Sequence, residues 1–283
     1  MKDAKWIALL LLVAAIWGFT FTATKDALRS FGTFALLFIR FFIASCLLSG
    51  YIAATRKKFE LHNAKGGIVL GVIAFFAYAT QTFGLNFTSA ANSAFITYLL
   101  VIFVPILSIF ILKKKPHRKM WVAAAIAMAG LYLLNGSEGR FNIGDAITML
   151  CAVAFALHVI YNDKFVRNFQ VHSLLFWQFA TVMVLSAIFM LALGEVPADY
   201  PDAAVASVLF LAVFGSVFAH WVQLEVQKFV EPSRVGLVFI TEPIFAAAFG
   251  MVLLGESLAL LQGIGAVLML AAIALEEYEK IQI

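Results

Sequence analysis

The feature that most constrains this chain of 283 residues is a series of ten apolar runs joined by short polar connections. The runs lie at approximately 5–24, 34–54, 66–85, 92–112, 119–135, 143–161, 173–193, 204–226, 235–254 and 258–276. A helix needs roughly 20 mainly apolar residues to cross the hydrocarbon of a bilayer, and about 17 suffice. Every run meets that length, so ten transmembrane helices are predicted. Strands are not expected: an open sheet edge goes unsatisfied in lipid, and the runs are too long for barrel strands. The fold class that follows is an all-α polytopic membrane protein.

Composition identifies the same solvent. Apolar residues make up 63% of the chain and charged residues 13%, where soluble domains run near half and a quarter. One soluble core could not hide that much apolar surface. The net charge of +4 comes from short clusters between runs, such as Arg56-Lys57-Lys58 and Lys113-Lys114-Lys115. Such clusters orient membrane proteins, so no nucleic-acid partner is expected. Cys46 and Cys151 both lie inside apolar runs, with neither a disulfide framework nor a metal-ligand spacing around them. No cofactor or metal is expected. The first run continues past Trp17 to about Thr24 without a small-x-small cleavage site, which reads as a span and not as a secretory signal.

Basic residues set the orientation. With the N-terminus cytoplasmic, the inside segments hold sixteen of the twenty Lys and Arg, and the outside segments hold Lys25, Arg29 and Arg140. The remaining one, Arg40, lies within the second run. This asymmetry predicts a multi-pass protein of the cell membrane with both termini cytoplasmic.

The chain also resembles itself. At an offset of 138, Leu36-Leu37-Phe38-Ile39-Arg40-Phe41 lies on Leu174-Leu175-Phe176-Trp177-Gln178-Phe179. At an offset of 142, Ala77-Tyr78-Ala79-Thr80-Gln81 lies on Ala219-His220-Trp221-Val222-Gln223, and Ser89-Ala90-Ala91-Asn92 on Glu231-Pro232-Ser233-Arg234. The order of the matches predicts two five-helix repeats, residues 1–139 and 140–283. Five spans is an odd number, so the second repeat enters the membrane from the opposite side. Inverted repeats of this kind recur in secondary transporters, where two similar halves exchange conformations around a central site.

Several motifs carry a resemblance to a known family. They are Ile16-Trp17-Gly18, Phe38-Ile39-Arg40, Thr88-Ser89-Ala90-Ala91-Asn92-Ser93-Ala94-Phe95, Glu231-Pro232-Ser233-Arg234-Val235, Thr241-Glu242-Pro243-Ile244-Phe245-Ala246 and Leu254-Gly255-Glu256. Together they resemble the drug/metabolite transporter superfamily, specifically its EamA-type ten-helix members. The resemblance implies an exporter of amino acids, related metabolites or drugs, with a cavity lined by spans 1, 3, 4, 6, 8 and 9 and with spans 5 and 10 peripheral. Two positions depart from the family pattern. Proline falls at Pro105 instead of near Val101, and Lys114 stands where an acidic residue is usual. The first-half turn is therefore expected to differ from its counterpart.

Ionisable groups inside a span are costly in lipid and face the protein interior by default. Arg40 reads either as a holder of a substrate carboxylate or as a structural cation that caps carbonyls. Glu242 precedes Pro243, which removes a backbone hydrogen bond and bends the helix. A carboxyl there binds an ammonium group, carries a proton or stabilises the kink. His220 and Gln223 share a helix face, as do their repeat partners Tyr78 and Gln81. Such pairs form either a symmetric cavity wall or interhelical hydrogen bonds. His158 has the same two readings. Trp17 and Thr20 on span 1, Phe95 and Tyr98 on span 4, and Phe239 on span 9 form aromatic and polar stripes that serve cavity lining or packing.

The function read from the sequence is secondary transport by alternating access, with export favoured. The substrate class is amino acids, aromatic or otherwise amphiphilic, or related small metabolites. The alternatives are a multidrug or cationic-compound efflux carrier, and then a channel or membrane enzyme. No G-x-S-x-G, H-E-x-x-H or Walker sequence occurs, so no catalytic residues are predicted. The expected partners are a small-molecule substrate and the lipid bilayer. A homodimer is neither required nor excluded by the sequence.

Overall fold

Lipid offers backbone amides no partner but the backbone itself, so each apolar run closes its hydrogen bonds internally as a helix. The computed structural model describes residues 4–57, 62, 64–135, 142–195, 202–254 and 259–279. The repeat boundary expected at 139/140, Arg140 and Gly255-Glu256 lie outside the described residues. The first half contains α1 (Ala4–Ala27), α2 (Thr33–Ala54), α3 (Ala64–Gly84), α4 (Ala90–Thr97), α5 (Leu100–Ile111) and α6 (Arg118–Asn135). The second contains α7 (Ile143–Val166), α8 (Val171–Ala192), α9 (Asp202–Phe210), a π-helical segment (Leu211–Phe218), α10 (Ala219–Gln227), α11 (Pro232–Phe239), α12 (Glu242–Leu254) and α13 (Leu260–Glu279). No strand occurs among the described residues.

Eight of the described helical segments are long and apolar enough to cross a membrane. Helices α6 and α13 occupy the fifth and tenth apolar runs and pack against each other more extensively than any other pair. Phe110, Leu191 and Leu260 are among many large apolar side chains on the outer surface. Arg40, His158, His220 and Glu242 are instead buried. Apolar residues outside and polar ones inside is the pattern of a chain folded in lipid.

Two helices break at matching places. The fourth run turns at Tyr98–Leu99, between α4 and α5, and the ninth at Ile240–Thr241, between α11 and α12. These positions differ by 142, the offset of the sequence repeat. At the break itself the two halves therefore do not differ, while the counterpart of the turn at Lys114 lies outside the described residues. The break forms with Val101 in the place that Pro243 holds in the second half, and Pro105 sits inside α5. Other helix ends follow their local chemistry. Ser89 Oγ accepts the Asn92 amide at the start of α4, Asn142 and Asp145 form a capping box on α7, and Pro232 takes the first position of α11.

Close approach needs small residues. A Cβ added at Gly18 of α1 would stand 2.7 Å from the Glu242 carbonyl oxygen on α12. Gly130 of α6 and Gly265 of α13 meet in the same way, a Cβ on Gly130 falling 2.6 Å from the Gly265 carbonyl. Without a hydrophobic drive between helices in lipid, such contacts supply the packing.

Candidate functional site

A cavity lies at the centre of the bundle, between α1, α2, α3, the break of α4 and α5, α7, α10 and the break of α11 and α12. The space open to the centre of a water-sized sphere is about 50 Å³, room for a few waters. Eleven of the twelve predicted site residues line it: Trp17, Thr20, Arg40, Tyr78, Gln81, Tyr98, His158, His220, Gln223, Phe239 and Glu242. Phe95 does not. It packs into the helical core instead, because at 100° per residue it sits on the side of α4 away from Thr97, which does face the cavity.

The sequence reading missed Phe21, Thr97, Leu100, Phe155 and Val159. The lining shows what signal would have found them. Trp17, Thr20 and Phe21 recur 138 positions later as Phe155, His158 and Val159, all lining residues. Tyr78, Gln81, Thr97 and Leu100 recur 142 positions later as His220, Gln223, Phe239 and Glu242, again all lining residues. Only Arg40 and Tyr98 face the cavity without their mates, Gln178 and Ile240.

Arg40 is tied into the wall. Its Nε donates to Ser216 Oγ at 2.7 Å and its Nη2 to the Gly215 carbonyl at 3.3 Å. The guanidinium carbon lies 4.6 Å from the centre of the Tyr78 ring. Contacts of this kind are what the structural reading of Arg40 requires, while the side chain also lines the cavity. The π-helical segment makes the arrangement possible. Its wider turn shifts the i→i+4 pattern and presents the Gly215 carbonyl to neighbouring helices. Trp17 Nε1 donates to that same oxygen at 2.9 Å.

The Trp17 ring meets His220 edge-on at 5.4 Å and Phe239 at 4.9 Å between centroids. His220 Nδ1 lies 3.0 Å from the Ser216 carbonyl, which accepts only, so this nitrogen carries the ring proton. Nε2 then accepts from the Tyr78 hydroxyl at 3.1 Å. His158 takes the other tautomer: its Nδ1 lies 3.3 Å from Asn162 Nδ2, which leaves the proton on Nε2. Gln81 Nε2 donates to Thr97 Oγ1 at 3.2 Å.

Three lining atoms are buried without a hydrogen-bond partner: His158 Nε2, Gln223 Oε1 and Glu242 Oε2. A buried polar atom left unpaired is costly, so each marks a place where a bound group is expected. The cavity therefore offers one N–H donor and two acceptors, one of them the single carboxyl, set among aromatic rings. That chemistry suits a small molecule with an N–H-bearing or ammonium head and an apolar body.

A polytopic helical membrane protein with a polar cavity enclosed at mid-bundle, between broken helices, belongs to the class of small-molecule carriers. The profile of the EamA-like transporter family matches residues 4–136 and again 142–276, and the chain belongs to that family. It is 32% identical over 264 residues to an uncharacterized transporter of Archaeoglobus fulgidus, covering 93% of this chain and 83% of that protein. It is 27% identical over 156 residues to an S-adenosylmethionine uptake transporter of Rickettsia bellii, covering 54% of each. A crystal structure with 18% identity superposes at a TM-score of 0.77 over 95% of this chain and 96% of the other, which is a likeness of fold.

Proposed function

We propose that this protein is a secondary transporter that moves amino acids or related amine-bearing metabolites across the cell membrane by alternating access. In this reading ten helices cross the bilayer, both termini are cytoplasmic, and residues 1–139 and 140–283 are inverted repeats. The observation that carries the reading is the lone carboxyl of Glu242, whose Oε2 lacks a partner in a cavity lined by aromatic rings. The matched offsets of the lining residues and of the two helix breaks support the inverted repeat. The packing pairs support it as well. Helix α1 packs against α12 as α7 packs against α5, which is the same relation with the halves exchanged.

S-adenosylmethionine, the substrate named for the Rickettsia relative, is an amine-bearing amphiphile of the kind the cavity suits. Export is the direction implied by the family resemblance, while that relative is named for uptake. A carrier without a nucleotide-binding motif runs down whatever gradient it couples to, so conditions set the direction. The experiment is counterflow in liposomes loaded with unlabelled amino acids, with labelled phenylalanine and S-adenosylmethionine outside. Saturable accumulation of label is expected. No exchange across a wide amino-acid and metabolite panel would rule the reading out.

A second reading, efflux of cationic compounds that lack a carboxylate, is favoured by the way Arg40 is spent on Ser216 and Gly215. Competition separates the two. Phenethylamine competes as well as phenylalanine if only the amine is recognised, and poorly if a carboxylate is read too.

A further inference from the structure

Helices α2 and α8 hold equivalent places in the two halves, and they end in the same way. After each, the backbone turns through a positive φ, 52° at Arg56 and 66° at Gly194, which are 138 positions apart. The next amides, those of Lys57 and Glu195, fold back onto the carbonyls of Ile52 and Met190 at 3.1 and 2.9 Å. Lys57 and Glu195 are therefore the same position in two copies of one unit, and they carry opposite charges.

Glu195 serves the start of α2. Its Oε2 accepts from the amides of Phe34 and Ala35 at 2.7 and 3.0 Å, where open amides and the helix dipole favour an anion. The start of α8 has instead a groove, lined by Lys57, Gln170, Val171, His172 and Trp221, of which about 410 Å³ is open to the centre of a water-sized sphere. Lys228 and Glu225 complete its wall and pair with each other at 2.7 Å. Lys228 takes the place of Asn86, 142 positions earlier, which donates to Thr33 Oγ1 beside the start of α2. The two lysines and Glu225 sum to one positive charge. Gln170 takes the place of Gly32, where an added Cβ would lie 2.5 Å from the Glu195 carboxyl. An anion at α8 therefore sits further out than Glu195 does, on the side of the lysines.

We propose that this groove holds the phosphodiester of an anionic phospholipid, which supplies to α8 from the bilayer the negative charge that Glu195 supplies to α2 from the chain. Lys57 Nζ lies 5.0 Å from the centre of the Tyr51 ring and 6.0 Å from that of Trp221, and it donates to the Tyr51 hydroxyl at 2.8 Å. An ammonium has three protons, so two remain for a ligand. Tyr51 and Trp221 meet edge-on at 5.1 Å. Tyr and Trp gather at the level of lipid headgroups, and basic pockets between helices at that level bind them. Next to the groove, Leu47 on α2 and Phe214 and Phe218 on the π-helical segment are exposed, an apolar surface for the acyl chains. One net positive charge matches the single negative charge of a phosphodiester. Phosphatidylglycerol keeps that charge, whereas the choline group of phosphatidylcholine cancels it. The topology proposed above puts this edge in the cytoplasm, but the binding needs neither that topology nor transport.

The test uses the full chain, purified in detergent and stripped of lipid, with phosphatidylglycerol, phosphatidylcholine or inorganic phosphate added. Phosphatidylglycerol should raise the melting temperature and the other two should not. By native mass spectrometry, Lys57→Gln should bind phosphatidylglycerol about fivefold more weakly, the loss expected for one lysine at a lipid surface. Lys57→Glu builds the Glu195 arrangement into the second half, so it should lose the response to phosphatidylglycerol and melt no lower than the unaltered protein without lipid. Should that variant not fold, Lys57→Gln decides alone. Lys114→Gln removes a charge away from the groove and should respond as the unaltered protein does. Equal responses to phosphatidylglycerol and phosphatidylcholine overturn the proposal, as does an equal response to inorganic phosphate. So does unchanged affinity in Lys57→Gln, or a loss in Lys114→Gln as large as in Lys57→Gln. No transport is measured, so a failure of the transport reading leaves these outcomes as they stand.

Discussion

Tyr78 and His220 stand at matching positions of the two halves, 142 residues apart, and their side chains meet across the centre of the bundle at 3.1 Å. A contact between equivalent positions is what a twofold relation between halves places on its axis. The hydroxyl and imidazole differ in chemistry, so the pair has a direction: Tyr78 donates and His220 accepts. Tyr78→Phe should slow transport severalfold, in line with the loss of a buried hydrogen bond of about 1 kcal/mol. The double variant with His220→Gln should lose less than the sum of the two. Additive losses in a double-mutant cycle of counterflow rates would show that the two side chains act apart.

Glu242→Gln keeps the shape of the side chain and removes its charge. Hydrogen bonds to a charged group contribute about 1.5–3 kcal/mol, so affinity for an amine-bearing substrate should fall ten- to a hundredfold while the melting temperature holds. Measured half-saturation for counterflow distinguishes this from a structural acid, whose loss would move the melting temperature and leave affinity alone.

Arg40→Lys retains the charge but not the geometry. An ammonium cannot reach Ser216 Oγ and the Gly215 carbonyl as a guanidinium fork does while lying over the Tyr78 ring. A lower melting temperature is expected. An unchanged one would mean that these contacts do not hold the wall together.

Gly18→Ala and Gly50→Ala make a contrasting pair. The added methyl at Gly18 collides with the backbone of α12, and at Gly50 it meets nothing within 4 Å. The first should cost folded protein on expression in membranes and the second should be silent. Equal yields by fluorescence-detected chromatography would contradict the close approach of α1 and α12.

The topology is tested by accessibility. Single cysteines placed near each terminus should both react with a thiol reagent only after the membrane is made permeable. A terminus that reacts in intact cells would break the alternation on which the repeat depends.

Much of this architecture is legible along the chain, for identifiable reasons. The apolar runs are readable because lipid imposes one requirement on every span, and length alone tests it. Most of the site is readable as well, since an ionisable or amide side chain in a span has to face inward: Arg40, His158, His220, Gln223 and Glu242 all do. Phe95 lies off the cavity, since an aromatic residue is at home on either face of such a helix. Phe155 and Val159 carry no local signal at all, and only their register with Trp17 and Phe21 marks them.

What the linear order of residues settled was the solvent, the helical class, the family and the positions that recur between halves. These depend on local composition and spacing, and a bilayer reads both one segment at a time. Only the folded arrangement decided the allegiance of each polar group. Arg40 is held by a carbonyl that the π-helical segment turns outward some 175 residues away, and Glu242 Oε2 is left without a partner among its neighbours. Which valences are spent and which remain open depends on distances between helices far apart in the chain, and no pattern along one helix encodes those distances.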